Sequence, residues 1–149
     1  MNYSLKEIPD RTEKPRETGC TMAIDKGLSL REIEDFLSVG SDFVDIVKLG
    51  WGTSFVTPNL TEKLNLYREL GIPTYFGGTL FEAFVVRNQF EDYIKVLEKY
   101  DMEYAEVSDG SIELDHDIKC DYINKLSEYV TVLSEVGSKD AEKIIPPYK

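Results

Sequence analysis

Charged and polar side chains follow a series of short apolar segments in this sequence. Asp25 and Lys26 follow the first segment, Lys48 ends the second, and Thr79 follows a Gly-Gly pair after the third. Carboxylates from adjacent segments are suited to bind a hard cation such as Mg²⁺. Lysines placed between them are suited to hold an anionic substrate, or to act as a general acid with a tuned pKa. The later segments add the remaining candidates, which are Glu106, Ser108, Asp109, Glu135, Ser138 and Lys139.

Each of these residues also has a purely structural interpretation. Asp25 could cap the following turn, and Asp45 and Glu106 could face the helices as members of ion pairs. The string at 108–110, Ser-Asp-Gly, is an ordinary turn sequence. Lys48 could carry its charge out to water from a strand end. We favour a functional role for Lys48, because a lysine within an apolar segment is rarely buried unless it is paired.

The segments that carry these residues have the pattern of buried parallel strands. Each is short, apolar and β-branched, ends in a motif that contains glycine, and is followed by apolar residues at helical spacing. The carboxyl ends of parallel strands lie at one edge of a sheet, so we expect the candidate residues to lie there together. The five predicted strands are Thr21–Ile24, Val44–Val47, Thr74–Phe76, Tyr104–Val107 and Thr131–Leu133.

Amphipathic helices are predicted between the strands. Ser29 with Glu32, and Thr79 with Glu82, have the spacing of capping boxes at helix starts. The helical spacing that follows the second box continues to about residue 100. Asp115 is the predicted N-cap of the last helix.

The resulting order, β-α-β-α-β-α-β-α-β, predicts an α/β fold with a parallel sheet. An open doubly wound sheet and part of a (β/α)₈ TIM barrel both fit this order, although no GxGxxG string marks the first alternative. In a barrel of about 250 residues each βα unit takes about 31, so the 149 residues hold about four and a half units. We therefore predict a polar N-terminal extension at 1–18 and the N-terminal part of a single barrel domain at 19–149.

Composition argues against several classes of function. The chain has 17 Lys+Arg against 28 Asp+Glu, a net charge of −11, which disfavours binding to nucleic acid or to an anionic membrane. It has no apolar run near the roughly 20 residues that span a bilayer, and its N-terminus has no signal-peptide core. Its two cysteines are too few for a disulfide framework. We expect a soluble cytoplasmic protein that acts on small molecules, and its oligomeric state stays open.

Five strings, in order, resemble the phosphosulfolactate synthase family. K-L-G-W-G-T-S at 48–54 and F-G-G-T-L-F-E at 76–82 are the most specific, and the others lie at 25–27, 106–110 and 133–139. The segment at 14–19, before the first strand, resembles the bacterial branch of this family more than the archaeal branch. The resemblance implies a (β/α)₈ barrel with a carbon–sulfur lyase activity that runs in the synthetic direction. Such an enzyme uses Mg²⁺ and adds sulfite to phosphoenolpyruvate to give (2R)-phospho-3-sulfolactate, the step that opens coenzyme M biosynthesis in methanogens.

The resemblance also implies roles for the strand-end residues. Attack of sulfite on C3 places charge on the substrate carboxylate, where Mg²⁺ would stabilise it. Lys139 is then the predicted general acid toward C2, and Lys48 is a second catalytic lysine that contacts the substrate anion. Glu106, Asp109 and Glu135 are the predicted Mg²⁺ ligands, either directly or through water. The predicted substrate contacts are Asp25, Lys26, Ser108 and the backbone N–H groups of Gly78 and Thr79.

Members of this family continue through strands six to eight, whereas this chain ends near strand five. Barrel phosphate sites frequently come from the loops after strands seven and eight, so we predict that the chain is a fragment that is unstable or inactive alone. Turnover of sulfite and phosphoenolpyruvate by the purified chain would contradict that prediction. Two alternatives stay open: a non-catalytic homologue, similar to a plant heat-stress-associated protein, and an aldolase-type barrel with Lys48 as a Schiff-base lysine.

Overall fold

A five-stranded parallel sheet forms the centre of the computed structural model, which describes residues 5–142. The strands pair in chain order and are β1 Met22–Asp25, β2 Ile46–Leu49, β3 Thr74–Phe76, β4 Tyr104–Val107 and β5 Thr131–Ser134. The helices are α1 Leu30–Gly40, α2 Leu60–Glu69, α3 Gly78–Val85, α4 Phe90–Lys99 and α5 His116–Ser127, and a 3₁₀ helix follows β2 at Gly50–Phe55.

The strand order bears on the two predicted architectures. A doubly wound sheet reverses its strand order at a switch point, whereas a barrel adds each new strand beside the previous one. Here every strand pairs in parallel with the next one along the chain, from β1 to β5. The predicted α/β class with a parallel sheet is therefore confirmed, and the sheet is compatible with part of a TIM barrel.

The start of two helices follows local sequence chemistry. Ser29 caps α1 by accepting a hydrogen bond from the Glu32 backbone, and the Glu32 carboxylate returns to the Ser29 N–H, as the capping box predicts. The Asp115 side chain accepts hydrogen bonds from the backbone N–H groups of Asp117 and Ile118 at the start of α5. Both predicted N-caps are thus confirmed.

The segment after β3 differs from its prediction in two ways. α3 begins at Gly78, no side chain caps it, and the Glu82 carboxylate points to a different partner, so the capping box predicted for Thr79 and Glu82 is wrong. The helix then ends at Val85 because Asn88 adopts a left-handed conformation (φ 56°). α4 starts afresh at Phe90, where the sequence predicted one continuing helix.

The helices cover the sheet through two apolar clusters. One gathers around Phe76 of β3, where Phe81 packs edge-to-face against the rings of Phe90 and Tyr93. The other joins Val47 of β2 to the buried faces of α1 and α2. These clusters pack the helices against the sheet whose carboxyl edge carries the polar side chains. No helix within residues 5–142 is long and apolar enough to cross a membrane.

The segment before β1 is anchored beside the sheet by ion pairs of Arg11 and Arg16 with Asp45, the residue before β2. Arg16 Nη1 lies 2.7 Å from Asp45 Oδ1, and the Thr21 backbone N–H donates to Asp45 Oδ2 at 2.7 Å. Lys14 Nζ also donates to the carbonyl oxygen of Ser41 at 2.7 Å. Asp45, for which the sequence left two interpretations open, is therefore a member of a structural ion pair.

This ion pair predicts an acid-dependent loss of stability. Burial would raise the pKa of Asp45, but the Thr21 N–H and Arg16 outweigh it and hold the pKa below its ordinary value. The contribution is therefore present above the unfolded-state pKa of about 4, and it is lost as the pH falls through the lower folded-state pKa. We expect Asp45→Asn to be less stable than the natural chain at neutral pH, by a margin that shrinks in acid. Urea unfolding at a series of pH values measures this margin, and a margin independent of pH would contradict the assignment.

Candidate functional site

A cavity of about 240 Å³ lies at the carboxyl edge of the sheet. Six of its nine lining residues are ones that the sequence predicts as site residues. A larger hollow of about 770 Å³ runs along α1 and α2, but it contains none of the predicted residues. The smaller cavity is therefore the candidate site, and its lining residues are Ile24, Lys48, Gly50, Trp51, Thr79, Glu106, Ser108, Glu135 and Lys139.

Lys48 bridges two carboxylates at the bottom of this cavity. Its Nζ lies 2.7 Å from Glu106 Oε1 and 3.0 Å from Glu135 Oε2. The apolar run of β2 ends at Val47, and the strand continues through Lys48, whose backbone pairs with Ile24 and Tyr75 on either side. The three side chains form a triad with a net charge of −1.

Glu106 is nearly excluded from water, and hydrogen-bond donors surround its carboxylate. The Gly78 backbone N–H donates to Oε1 at 2.7 Å, and the Tyr75 hydroxyl donates to Oε2 at 3.2 Å. A Cβ on Gly78 would lie 2.6 Å from Ser108 Cβ, so only glycine permits this approach. The Gly78 N–H, predicted as a substrate contact, therefore serves Glu106 instead.

The charges of the triad reinforce one another. Burial would lower the pKa of Lys48, but its hydrogen bonds to Glu106 and Glu135 outweigh burial and raise the pKa above its ordinary value. Burial would likewise raise the pKa of Glu135, but Lys48 outweighs it and lowers the pKa. Lys48 is thus held as an ammonium ion. A Schiff-base lysine must react as a neutral amine, so this environment disfavours the aldolase-type alternative.

Lys139 reaches the mouth of the cavity from beyond β5. Its Nζ donates to the hydroxyls of Ser111 at 2.7 Å and Thr79 at 3.1 Å, and its backbone N–H donates to the Gly110 carbonyl at 2.9 Å. The side chain is exposed, in contrast to Lys48. The two lysines therefore differ in kind: one is fixed between carboxylates, and the other is held by neutral hydroxyls at the opening.

Glu82 is a residue of this region that the sequence did not predict. It is buried, and its carboxylate accepts hydrogen bonds from the Ser108 hydroxyl and from the N–H groups of Gly110 at 2.9 Å and Ser111 at 3.1 Å. The Ser108 hydroxyl, predicted as a substrate contact, is therefore committed to Glu82. The sequence did contain a signal for a buried role of Glu82, because this carboxylate lies within an otherwise apolar stretch. The same position also fitted a capping box with Thr79 equally well.

Two predicted residues lie outside the cavity because helix lysines bind them. Asp25 Oδ2 lies 2.8 Å from Lys63 Nζ and accepts the Tyr67 hydroxyl at 3.0 Å. Asp109 Oδ1 lies 2.9 Å from Lys119 Nζ, and both side chains are buried. Of the two interpretations that the sequence left open for Asp25, the geometry therefore favours the structural one, and neither carboxylate lines the cavity.

Lys26 lies beside the cavity and not in its lining. Its Nζ stands 4.6 Å above the Trp51 ring, a cation–π distance, and its side chain is exposed. Trp51 itself lines the cavity in a left-handed conformation, with φ 51°. The contact with Trp51 therefore joins the exposed Lys26 to the rim of the cavity.

Comparison with known proteins places this site in a family. The family model described as (2R)-phospho-3-sulfolactate synthase (ComA) matches residues 9–149. The chain belongs to the phosphosulfolactate synthase family. Its strongest sequence signals, the strings around Lys48 and at 76–82, supply Lys48, Gly78 and Glu82 of the site just described.

Three curated relatives are named phosphosulfolactate synthase. The protein of Bacillus subtilis is 43% identical over 142 residues, which cover 95% of this chain and 56% of that protein. The proteins of Methanothermobacter thermautotrophicus and Methanocaldococcus jannaschii are each 38% identical, over 91% and 85% of this chain and 54% and 52% of their own length. The chain thus spans about half the length of the curated relatives it matches.

The Mg²⁺ expected from the family resemblance does not fit the three predicted ligands. Among residues 5–142, no three or more His, Cys, Asp or Glu side chains are grouped to hold a metal ion. Asp109 is bound to Lys119, and the Lys48 ammonium stands between Glu106 and Glu135. Mg²⁺ needs near-octahedral oxygen ligands at about 2.1 Å, which this arrangement does not offer. As placed here, these carboxylates do not form a direct three-ligand site, and the dependence on Mg²⁺ stays a prediction.

Proposed function

We propose that this chain supplies catalytic residues of a phosphosulfolactate synthase, which joins sulfite to phosphoenolpyruvate. The observation that carries the proposal is that Lys48 and Lys139 meet at one cavity at the carboxyl edge of a parallel sheet. Both substrates are anions, and in a chain with a net charge of −11 Lys48 and Lys139 are the two cationic residues in the lining of this cavity. The names of the three relatives support the same reaction.

The reaction needs one bond-forming step and one proton. The sulfur lone pair of sulfite attacks C3 of phosphoenolpyruvate and forms the C–S bond. The C2–C3 π electrons move toward the C1 carboxylate as an ene-diolate, and they return when C2 takes up a proton. The product is (2R)-phospho-3-sulfolactate, and the phosphate ester stays intact throughout.

The different surroundings of the two lysines support different roles for them. Lys48 has a raised pKa and two carboxylate partners, so it gives up its proton reluctantly. It is suited to hold the developing negative charge, as a fixed cation in a partly dry site. Lys139 has hydroxyl partners at the open end of the cavity and can deliver its proton to C2 from one face.

The charged triad itself argues for a working site. Removing the Lys48 ammonium and the Glu106 carboxylate from water costs stability, and apolar residues of similar volume would fill the space at lower cost. A non-catalytic homologue would have no physical reason to retain these charges. The presence of the charged triad therefore favours the synthase over the stress-related alternative.

A chimera tests the function, because the chain spans only about half of its relatives. Residues 9–142 would replace the matched part of the Bacillus subtilis synthase, and ³¹P NMR would follow the phosphate ester of phosphoenolpyruvate. We expect a turnover rate within about tenfold of the parent enzyme, a barrier change of about 1.4 kcal/mol. We expect the 149-residue chain alone to show none. A chimera that folds but converts no substrate would contradict the proposal.

A further inference from the structure

The loop after β4 connects Glu82 to Lys139. Glu82 accepts the backbone N–H groups of Gly110 and Ser111, at 2.9 Å and 3.1 Å. The same two residues hold Lys139, since the Gly110 carbonyl accepts its backbone N–H and the Ser111 hydroxyl accepts its ammonium. Gly110 and Ser111 are thus each hydrogen-bonded both to Glu82 and to Lys139.

We propose that Glu82 is a positioning residue that sets the place of the Lys139 ammonium through the loop at 108–111. The catalytic importance of this role depends on the proposed function, whereas the positioning itself does not. Glu82 does not line the cavity, so it acts on a substrate only through other residues.

Burial makes this link stiff. Glu82 is 2% exposed and Ser108 is equally buried, so water has little access to the carboxylate that accepts these hydrogen bonds. The loop can leave its position only by leaving a buried carboxylate without donors, which is costly. Lys139, by contrast, is exposed, and its long side chain has many rotamers of its own. The loop held by Glu82 therefore restricts the rotamers of Lys139, which an exposed lysine would otherwise sample freely.

The two carboxylate oxygens of Glu82 accept hydrogen bonds from different donors, so a substitution can remove one set of bonds and keep the other. Oε1 accepts from Ser108 and Gly110, and Oε2 accepts from Ser111. Glu82→Gln retains one acceptor oxygen, so it keeps the Ser108 and Gly110 bonds and places an amide N–H₂ against the Ser111 N–H. We expect this variant to loosen Ser111 and the Lys139 ammonium while Gly110 stays in place.

The measurements use the full 149-residue chain and need no turnover. Amide hydrogen exchange reads the N–H groups of Gly110, Ser111 and Lys139, and labelling by trinitrobenzenesulfonate with peptide mass spectrometry reads the lysine ammonium. In Glu82→Gln we expect exchange at Ser111 to rise by about tenfold and labelling of Lys139 by about threefold, with the exposed Lys95 as internal reference. Ser111→Ala should give the same labelling of Lys139 without any change at Glu82.

The double variant decides between positioning and a merely structural role. If Glu82 acts through Ser111, Glu82→Gln adds nothing to the Lys139 labelling of Ser111→Ala. Faster exchange at Ser111 with unchanged labelling of Lys139 would overturn the proposal, as would additive effects in the double variant. Should the Glu82→Gln chain fail to fold, the Ser111→Ala labelling alone decides: no change there also overturns it. Failure of the synthase reaction in the chimera would leave all of these readings intact, so the two proposals fail separately.

Discussion

Replacing Lys63 by methionine is expected to lower the free energy of unfolding by about 3–5 kcal/mol, because it leaves a buried carboxylate without its counter-charge. The Lys63 and Asp25 side chains are 2% and 1% exposed, and Nζ lies 2.8 Å from Oδ2. Lys63 Nζ also donates to the Leu28 carbonyl at 2.8 Å, so the same change orphans a second acceptor. Urea unfolding followed by circular dichroism measures the loss.

An exposed ion pair on α4 provides the matched control. Lys95 Nζ lies 2.8 Å from Asp92 Oδ1, the same separation, but the side chains are 71% and 50% exposed. Lys95→Met should therefore cost far less stability than Lys63→Met, because water screens the exposed pair. Adding Asp25→Asn to Lys63→Met should recover part of the loss, because the buried charge is then removed as well. A loss below about 1 kcal/mol for Lys63→Met would show that water reaches Asp25 and would reopen its role as a ligand contact.

Replacing Lys139 by alanine in the chimera is expected to lower kcat by about 10²–10⁴-fold, the usual contribution of a general acid. KM for phosphoenolpyruvate should change less, because the Lys48 triad is untouched by this substitution. Rates of product formation from ³¹P NMR over a range of substrate concentrations separate the two constants.

Lys139→Arg distinguishes proton transfer from simple attraction. Arginine keeps the positive charge but does not give up a proton near neutral pH. We expect its kcat to be as low as that of Lys139→Ala, with a KM close to that of the parent chimera. Lys95→Ala on the outer face serves as the control for removing a lysine. Undiminished turnover in Lys139→Ala, or full activity in Lys139→Arg, would end the assignment of Lys139 as the acid.

The sheet was predictable because its signal is local. Each strand is a short apolar run that ends near a glycine, and the structure has all five within two residues of the predicted bounds. The largest shift is in β2, where the apolar run ends at Val47 but the strand continues through Lys48. Its charge is neutralised by Glu106 and Glu135, which lie on strands far along the chain. A local pattern contains no information about such partners.

The site was only partly predictable, since a strand end fixes the edge of the sheet but not the direction of a side chain. Asp25 and Asp109 lie at that edge as expected, yet both point to helix lysines. A signal for these lysines did exist. Lys63 lies on the apolar stripe of α2, three residues after Leu60, and Lys119 lies on that of α5, three residues before Tyr122. A lysine on an apolar stripe implies a buried counter-charge, which here turns each carboxylate away from the cavity.

The triad at Lys48 has a consequence for the order of folding. Lys48 and Glu135 are 87 residues apart in the chain, so their contact closes a long loop and cannot form before β4 and β5 have docked. Docking must also be in register, because a slip of β5 by one residue would turn Glu135 to the opposite face of the sheet. A molecule in which Lys48 contacts both Glu106 and Glu135 has therefore aligned its strands in register. We therefore expect the Lys48 triad to be among the last contacts to form within the described residues.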